Sequence, residues 1–311
     1  TSGGGRALKQ WPIADAYLRS QHNLPFSYQY AFTSAPGEAV KLAADAAQAG
    51  YRLVVAVGGD GTINEVVNGL FRSGPPPADL QLGVVQAGRG SDFGRTVGVP
   101  SDMREALARL IEGRRRRIDI GRMTYHSAGR DQQRGKELVR YFANVAGVGF
   151  DAEVAARADR GRQAIGRVLG GSIPYLTALG LSLLRYRNRR MIVEADGVTL
   201  PTPAPVYSVV VANCQFFGGG MRVAPDADPA DGLFDVVILG NFGKLEVVRE
   251  LPKLYEGSHL ALAKVSVSRA RQVVVRAANP HRRLIAQADG EVVGRTPITF
   301  DLLPATLTIR V

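Results

Sequence analysis

Cysteine and histidine are scarce in this sequence. Cys214 is the single cysteine among 311 residues, so no disulfide can form within the chain. The four histidines are scattered and lack the spacing of a zinc site: His22, His126, His259 and His281. We therefore expect a protein of a reducing, cytoplasmic compartment without a Cys/His metal centre.

Long apolar runs are also missing. No stretch reaches the roughly 18 to 20 apolar residues that a membrane-spanning helix needs, and the first residues lack the pattern of a signal peptide. Any contact with a membrane is therefore expected to be peripheral. Low-complexity tracts are absent as well, and 45% of the residues are hydrophobic, which predicts a globular protein.

Acidic residues are outnumbered by basic ones. The chain has 39 Lys and Arg against 28 Asp and Glu, a net charge of +11. Such a surface attracts phosphate-rich partners, which include nucleotides, nucleic acid and anionic membranes. The basic residues are not interleaved with an aromatic platform, so we expect no nucleic acid among the partners.

The first 120 residues alternate between helical and strand patterns. The predicted helices are 39–50, 62–70 and 101–113, and the predicted buried strands are 51–57 and 80–85. Ser101 is the first residue of the third predicted helix and its predicted N-cap. Helices that alternate with buried strands indicate a doubly wound α/β domain with a parallel sheet, over residues 1–120.

The pattern changes after residue 120, where strand follows strand. The predicted strands are 118–125, 141–146, 191–195, 206–213, 234–239 and 273–276. Two helices are predicted among them, at 164–186 and 244–255. This pattern is typical of an antiparallel, β-sandwich-like domain, predicted over 121–294, with residues 295–311 returning to the first domain.

Glycines cluster where the first predicted strand meets a helix, at Gly58-Gly59-Asp60-Gly61-Thr62. We call residues 58–62 the glycine turn. Glycines there let backbone N–H groups approach phosphate oxygens at a helix N-terminus. A plain tight turn is an equally good interpretation of the glycines alone. Asp60 favours phosphate, because a carboxylate beside phosphates can orient Mg²⁺ or its waters.

A second glycine-containing turn follows the next strand and includes Gly88, Arg89 and Ser91. Both turns should lie at the carboxyl edge of the parallel sheet, where open α/β folds bind ligands. Arg89 could pair with a phosphate as a forked donor. A solvated arginine in a turn is the commoner outcome for this residue type.

Asp289-Gly290-Glu291, which we call the acid turn, has the residue types of a general base. Such a carboxylate can accept a proton as a hydroxyl attacks a phosphate. From spacing alone an ordinary hairpin turn is the better interpretation, since Asp-Gly is a strong hairpin signal. Asp228 and Asp231, with the backbone at Leu233, form another acidic segment that could hold a hard cation or could simply be a solvated turn.

These segments together resemble a known family. The glycine turn followed by Asn64 and Glu65 resembles the signature of the superfamily of diacylglycerol, sphingosine and ceramide kinases, especially its soluble bacterial members. Further matching motifs follow in order along nearly the whole chain: 144–151 (NVAGVGFD), 213–225 (NCQFFGGGMRVAP), 231–235 (DGLFD) and 289–291 (DGE). The sequence departs from the family at Arg89 and Ser91, where threonine and asparagine are usual.

The resemblance implies a nucleotide-binding α/β domain, a β-rich lipid-binding domain, and ATP with Mg²⁺ in the cleft between them. It implies a phosphotransferase of phospholipid biosynthesis that phosphorylates a hydroxyl of a membrane lipid of the diacylglycerol or sphingoid type. The implied catalytic residues are Glu291, Asp289 and Asp60, with either Glu291 or Asp289 as the base. The implied nucleotide contacts are Ser2, Gly3, Thr33, Gly58, Gly59, Asp60, Gly61, Thr62, Asn64, Gly88 and Arg89. The implied ligands of a structural Mg²⁺ are Asp228, Asp231 and the backbone of Leu233.

Two other functions remain open at this level. Kinases for a soluble substrate, such as NAD kinases and phosphofructokinases, share the Gly-Gly-Asp-Gly signature, and a non-catalytic nucleotide or lipid sensor could share the fold. The arginine-rich segment 157–190 has an apolar middle, which fits a lipid gate or peripheral contact with an anionic membrane, and equally a packed helix with a solvated basic face. A homodimer would be in keeping with the family.

Overall fold

The computed structural model describes residues 5–87, 92–126, 136–164, 173–202 and 204–311. The chain divides into two compact units. Unit 1 comprises Thr1–Asp119 and Ala305–Val311, and unit 2 comprises Ile120–Pro304. The segment that returns to unit 1 is therefore shorter than the predicted 295–311, because residues up to 304 belong with the strands of unit 2.

Unit 1 is an α/β unit, as predicted from the alternating pattern. Its elements up to the boundary are α1 (Arg6–Ser20), α2 (Glu38–Gln48), β1 (Leu53–Gly58), α3 (Asp60–Leu70), β2 (Gln81–Gln86), α4 (Asp92–Val97) and α5 (Met103–Glu112). β1 pairs with β2 in parallel, and the chain's final strand, β13 (Glu291–Arg310), adds its last residues in parallel to β2. All six residues of β2 are buried, as expected for the middle strand of a covered parallel sheet.

The N-cap predicted for α5 is wrong by one residue. Asp102 occupies the cap, and its carboxylate accepts the N–H groups of Arg104 and Glu105, both at 3.0 Å. A carboxylate can satisfy two of the free N–H groups of a first helical turn, and its charge also suits the helix dipole. Ser101 therefore lies outside the helix.

Unit 2 is dominated by antiparallel strands. Its elements are β3 (Arg115–His126), which starts in unit 1, β4 (Glu137–Phe142), β5 (Val145–Gly149), α6 (Phe150–Ala164), α7 (Ile173–Arg185), β6 (Met191–Ala195), β7 (Val198–Thr199), β8 (Ser208–Ala212), β9 (Phe234–Leu239), α8 (Lys244–Glu256), β10 (Val265–Ala270), β11 (Gln272–Ala277), β12 (Ile285–Ala288) and β13. The strand order is β10-β9-β8-β5-β12-β13-β11-β6-β7. The predicted antiparallel β-rich domain is confirmed.

The sheet of unit 2 curls around a large apolar core. Residues of β9, near one end of the strand order, share that core with residues of β6, near the other end. Phe142 is fully buried in it and stacks on Phe234 at a ring distance of 5.6 Å, while Phe300 meets it edge-on at 6.2 Å. Aromatic pairs of this geometry stabilise the contact between these strands beyond what apolar burial alone provides.

One predicted strand of unit 2 is interrupted. The strand predicted at 141–146 is two strands, β4 and β5, separated by Ala143 and Asn144. Of the helix predicted at 164–186, residues 173–185 form α7, and 165–172 lie outside the described residues. Most of α6 was not predicted, because its apolar residues are mostly alanines. No helix in the described part of the chain is long and apolar enough to cross a bilayer.

Candidate active site

The glycine turn joins β1 to α3 and combines close packing with open space. A Cβ atom added at Gly58 would lie 2.6 Å from Oγ1 of Thr62, so only glycine fits there. At Gly59 and Gly61 an added Cβ would meet no atom of the described residues within 4 Å. The start of α3 also has no side-chain cap. The backbone beside this helix start is therefore accessible to an anionic group.

Asp60 ties the glycine turn to the next helix. Its carboxylate oxygens accept the N–H groups of Asp92 at 3.0 Å and of Phe93 at 3.1 Å, the first two residues of α4. The predicted catalytic or Mg²⁺-orienting carboxylate therefore caps a neighbouring helix in this structure. This bond fixes the position of the glycine turn relative to the segment that follows β2.

The strands that precede the two predicted turns end side by side. Gly58, the last residue of β1, is in register with Gln86, the last residue of β2, and the N–H of Ala87 donates to the carbonyl of Gly58 at 3.2 Å. The second turn itself lies outside the described residues. The predicted nucleotide contacts Ser2, Gly3, Gly88 and Arg89 lie outside the described residues.

Other predicted nucleotide contacts lie in different environments. Thr62 belongs to the first turn of α3, and Thr33 is half-buried in the segment between α1 and α2. Asn64 is fully buried inside α3, where its side-chain oxygen accepts from Asn68 at 3.3 Å. Glu65 caps α2 by accepting the N–H groups of Gly37 and Ala39. The end of the motif thus supports helix packing in this structure.

The acid turn is a tight hairpin between β12 and β13, as the spacing predicts. Asp289 and Gly290 both have positive φ, 49° and 81°, and Ala288 pairs with Glu291 across the turn. Two successive residues with positive φ match the twist of the flanking strands. Hairpin geometry and a catalytic role are compatible here, because the turn also holds its two carboxylates in fixed positions.

Asp289 is anchored by the break between β4 and β5. Its carboxylate accepts the N–H groups of Ala143, Asn144 and Val145, each at 3.0 Å. The N–H of Asp289 in turn donates to the carbonyl of Val145 at 2.9 Å. The interruption of the predicted strand therefore supplies the donors that hold this aspartate.

Two asparagines hold the break itself in place. The Asn213 amide donates to the carbonyl of Ala143 at 2.8 Å, and the Asn144 amide donates to the carbonyl of Phe216 at 2.9 Å. Both asparagines are buried. The motifs at 144–151 and 213–225 thus meet directly behind the acid turn.

Glu291 has a different environment from Asp289. It forms an ion pair with Arg140 of β4, and its side chain keeps 41% of its surface exposed, against 23% for Arg140. The carboxylate of Glu291 is therefore partly accessible to solvent while Arg140 holds it. Arg140 was not predicted, since no sequence pattern relates it to a residue 151 positions away.

A buried carboxylate that the sequence did not assign supports the acid turn from inside. Asp151 accepts a hydrogen bond from Ser208 Oγ at 2.5 Å and one from Gln287 Nε2 at 2.8 Å. Gln287 links Asp151 to the acid turn, because its Oε1 accepts the N–H of Gly290 at 2.8 Å. Burial raises the pKa of Asp151, while these hydrogen bonds oppose that rise. Gly147 makes room for the carboxylate, since a Cβ there would lie 2.2 Å from Asp151 Oδ2.

The predicted cation ligands form a turn that precedes β9. Asp228 accepts the N–H of Ala230 at 3.1 Å, and Asp231 accepts the N–H of Leu233 at 3.0 Å. Asp231 also pairs with Arg269. In the described residues no three acidic, histidine or cysteine side chains are grouped to hold a metal ion, so backbone oxygens such as that of Leu233 would have to complete the ligand set.

The donor chemistry of this turn nevertheless suits a hard cation. Carboxylate and carbonyl oxygens are the ligands that Mg²⁺ and Ca²⁺ take. Asp235 lies two residues beyond the turn, with its carboxylate 3.9 Å from Nε of Arg269. Burial raises the pKa of Asp235 to about 6, against the opposing effect of Arg269 and with Asp231 adding to the rise. A cation at Asp231 would compete with Arg269.

Comparisons with known proteins match two family models, one over each part of the chain. Residues 1–123 match the model of the diacylglycerol kinase catalytic domain, and residues 144–311 match that of the YegS C-terminal NAD kinase beta sandwich-like domain. A diacylglycerol kinase of Bacillus subtilis (strain 168) is 31% identical over 269 residues, which are 86% of this chain and 80% of the relative. The chain belongs to the diacylglycerol kinase family.

Other relatives of this family member agree. A diacylglycerol kinase of Mycobacterium tuberculosis (strain ATCC 25618 / H37Rv) is 29% identical over 273 residues, covering 88% of this chain and 81% of the relative. The crystal structure of a diacylglycerol kinase from Bacillus anthracis str. Sterne has the same fold, with a TM-score of 0.62 at 20% identity over 89% of this chain and 82% of that one. The predicted family and the kinase class are confirmed.

Proposed function

We propose that this chain is an ATP- and Mg²⁺-dependent kinase that phosphorylates the hydroxyl of a membrane lipid, with diacylglycerol as the first candidate acceptor. The observation that carries the proposal is the acid turn. Three backbone N–H groups fix Asp289, while Glu291, two residues away, remains accessible. The names of the relatives from Bacillus subtilis and Mycobacterium tuberculosis support diacylglycerol as the acceptor.

The glycine turn is the proposed site for the ATP phosphates. Gly59 and Gly61 leave the backbone uncovered beside the N-terminus of α3. Backbone N–H groups and the helix dipole favour negative charge at such a position. Asp60 contributes by holding this turn against α4, so its role is structural support of the phosphate site rather than proton transfer.

In the proposed reaction Glu291 accepts the proton of the lipid hydroxyl. The hydroxyl oxygen forms a bond to the terminal phosphorus of ATP, the bond from that phosphorus to its bridging oxygen breaks, and ADP leaves with the electron pair. Asp289 keeps the turn rigid, and Arg140 holds the carboxylate of Glu291 in place. Such fixed positioning lowers the barrier without a covalent enzyme intermediate.

Magnesium enters this proposal in two places. ATP binds as its Mg²⁺ complex, which offsets the negative charge of the terminal phosphates. Asp228, Asp231 and the Leu233 carbonyl would hold a second ion, which would stabilise the turn before β9.

Transfer of labelled phosphate from ATP tests the function. The chain is incubated with Mg²⁺ and mixed micelles that contain diacylglycerol, a sphingoid base, ceramide, phosphatidylglycerol or undecaprenol, with NAD and fructose 6-phosphate as soluble acceptors. We expect label in diacylglycerol. Label only in a soluble acceptor would refute the lipid kinase, and no label in any acceptor would favour a non-catalytic sensor.

We further propose that the chain meets its acceptor through peripheral contact with an anionic membrane, at the junction of α7 and α8. Leu184, Leu245 and Val248 expose 65%, 88% and 56% of their surface. Lys244 joins the two helices by donating to the Leu184 carbonyl. Exposed apolar side chains beside basic ones are typical of helices that rest on an anionic lipid surface.

Vesicle sedimentation checks this contact. Leu245→Glu should reduce binding to vesicles that contain phosphatidylglycerol, since it places a charge where an apolar side chain would enter the membrane. Leu181→Glu is the comparison. Its position is nearby but only 47% exposed, so the substitution should reduce binding to the vesicles less. Unchanged sedimentation of both variants would contradict the assignment of this face.

A further inference from the structure

A strongly basic pocket of about 690 Å³ lies in unit 2. Among the described residues, four arginines line it together with one histidine and a single carboxylate: Arg189, Arg282, Arg283, Arg295, His281 and Glu153. Its volume is in the range of pockets that hold small ligands. Four guanidinium groups facing one carboxylate give the pocket a local excess of positive charge.

Several arginines elsewhere in unit 2 are paired with carboxylates. Arg276 pairs with Glu194, Arg122 with Asp301 at 3.0 Å and Arg269 with Asp231. By contrast, no carboxylate in the described residues lies within ion-pair distance of the four pocket arginines. Like charges gathered without partners repel one another, so their convergence favours the binding of an anion.

Two of the pocket arginines are positioned by contacts with uncharged groups. The Arg189 guanidinium lies over the ring of Tyr186, 6.0 Å from its centroid. Arg295 Nη1 donates to the backbone carbonyl of Arg283 at 3.1 Å. Tyr186 is itself fixed, because its hydroxyl donates to the carbonyl of Tyr207 at 2.9 Å. These contacts orient the guanidinium groups and leave other N–H donors for a ligand.

We propose that this pocket binds a phosphate-bearing ligand, supplied either by a lipid headgroup or by a soluble phosphate ester. Guanidinium groups match phosphate oxygens as forked donors, and a phosphate would neutralise the clustered charge. The site differs from the acid turn: Arg295 lies four residues from Glu291 along β13, roughly 13 Å in an extended strand. Binding at this pocket does not depend on the proposed kinase reaction.

Isothermal titration of the whole chain tests the proposal directly. The probes are inorganic phosphate and monomeric dihexanoyl phosphatidic acid, with dihexanoylglycerol as the uncharged comparison. We expect both phosphates to bind and the uncharged lipid not to bind at this site. Equal affinities of the two phosphates would identify a soluble phosphate ligand, and tighter binding of phosphatidic acid would identify a lipid headgroup.

Charge changes inside and outside the pocket separate this site from general surface attraction. Arg283→Glu should weaken phosphate binding by about tenfold or more, since it removes a charged donor and adds repulsion. Glu153→Gln should strengthen binding, because it removes a carboxylate from the lining. Arg104→Glu, an exposed change of the same charge in unit 1, should leave binding as it is.

Circular dichroism verifies that each variant is folded. If Arg283→Glu fails to fold, Arg282→Gln at an exposed position of the same pocket takes its place. The proposal is overturned if the unaltered chain binds neither phosphate, or if the pocket variant and Arg104→Glu lose affinity equally.

Discussion

The glycine turn of unit 1 and the acid turn of unit 2 use their aspartates in the same way. Asp60 accepts two backbone N–H groups from α4, and Asp289 accepts three from the break between β4 and β5. What differs is the group left facing outwards. The first turn presents bare backbone at Gly59 and Gly61, and the second presents the carboxylate of Glu291.

This difference indicates a division of labour. Uncovered backbone beside a helix N-terminus suits the binding of phosphate, whereas a rigidly mounted, accessible carboxylate suits the acceptance of a proton. The two aspartates are the structural part of each turn. Substitutions should therefore be able to remove the chemical function of one turn, or destabilise its structure, while leaving the other turn unchanged.

The largest effect is expected at Glu291. Glu291→Gln should lower the rate of phosphate transfer about 10²- to 10⁴-fold, because it removes the proton acceptor and keeps the shape. Initial rates with labelled ATP measure it. The matched control is Glu194→Gln, which removes the same charge from another Glu–Arg pair of unit 2 and should leave the rate unchanged. Similar rates in the two variants would show that Glu291 is not the base.

The second-largest effect is expected on stability, when the acid turn loses the hydrogen bonds of Asp289. Asp289→Ala leaves three backbone N–H groups without their acceptor, and should lower the free energy of unfolding by about 3 kcal/mol or more. Asp228→Ala removes the acceptor of one N–H in an exposed turn and should cost about 1 kcal/mol. Urea unfolding compares the two, and equal losses would mean that Asp289 does not anchor its turn.

The glycine turn offers a contrast between neighbouring positions. Gly58→Ala should lower the free energy of unfolding by about 1 to 3 kcal/mol, because the new Cβ meets Thr62. Gly61→Ala has open space and should keep the stability while weakening the binding of ATP. Thermal unfolding and ATP titration are measured on both. Full ATP affinity in folded Gly61→Ala would remove the phosphate site from this turn.

The smallest expected effect is on the pH dependence of stability, through Asp151, which supports the acid turn. Burial raises its pKa above the ordinary value of 3.8, so the charged form is disfavoured in the folded protein. Below the ordinary pKa, Asp151 is neutral in both the folded and the unfolded chain and does not reduce the free energy of unfolding. As pH rises through the folded pKa, ionisation of the buried carboxyl group lowers that free energy. Asn cannot ionise, so the stability of Asp151→Asn relative to the unaltered chain should grow as pH rises. Urea unfolding at several pH values measures this difference, and a difference that stays constant with pH would contradict a raised pKa at Asp151.

Much of the architecture follows from patterns that are local in sequence. Alternating helices and buried strands specify the parallel sheet of unit 1, and the Asp-Gly pair specifies the hairpin at the acid turn. The failures are also instructive. Asp102 displaced Ser101 as a cap because two N–H groups favour a carboxylate, and the break at Ala143 and Asn144 reflects their bonds to a distant aspartate.

The candidate site could be predicted only in part, since its supporting contacts join distant segments. The acid turn was visible as a motif, but Arg140 pairs with Glu291 across 151 positions, and Gln287 reaches Asp151 across 136. Asn64 has the residue type of a ligand contact, yet it is fully buried in α3. The basic pocket draws its arginines from separate segments, so no single stretch of sequence indicates it.

The division of labour between the two turns is tested most directly by the affinity of Glu291→Gln for ATP, measured by equilibrium titration with Mg²⁺ on protein whose transfer rate is known. The account predicts the same dissociation constant as for the unaltered chain, together with the loss of transfer. A variant that lost ATP affinity in proportion to its rate would contradict the account, because the acid turn would then belong to the nucleotide site.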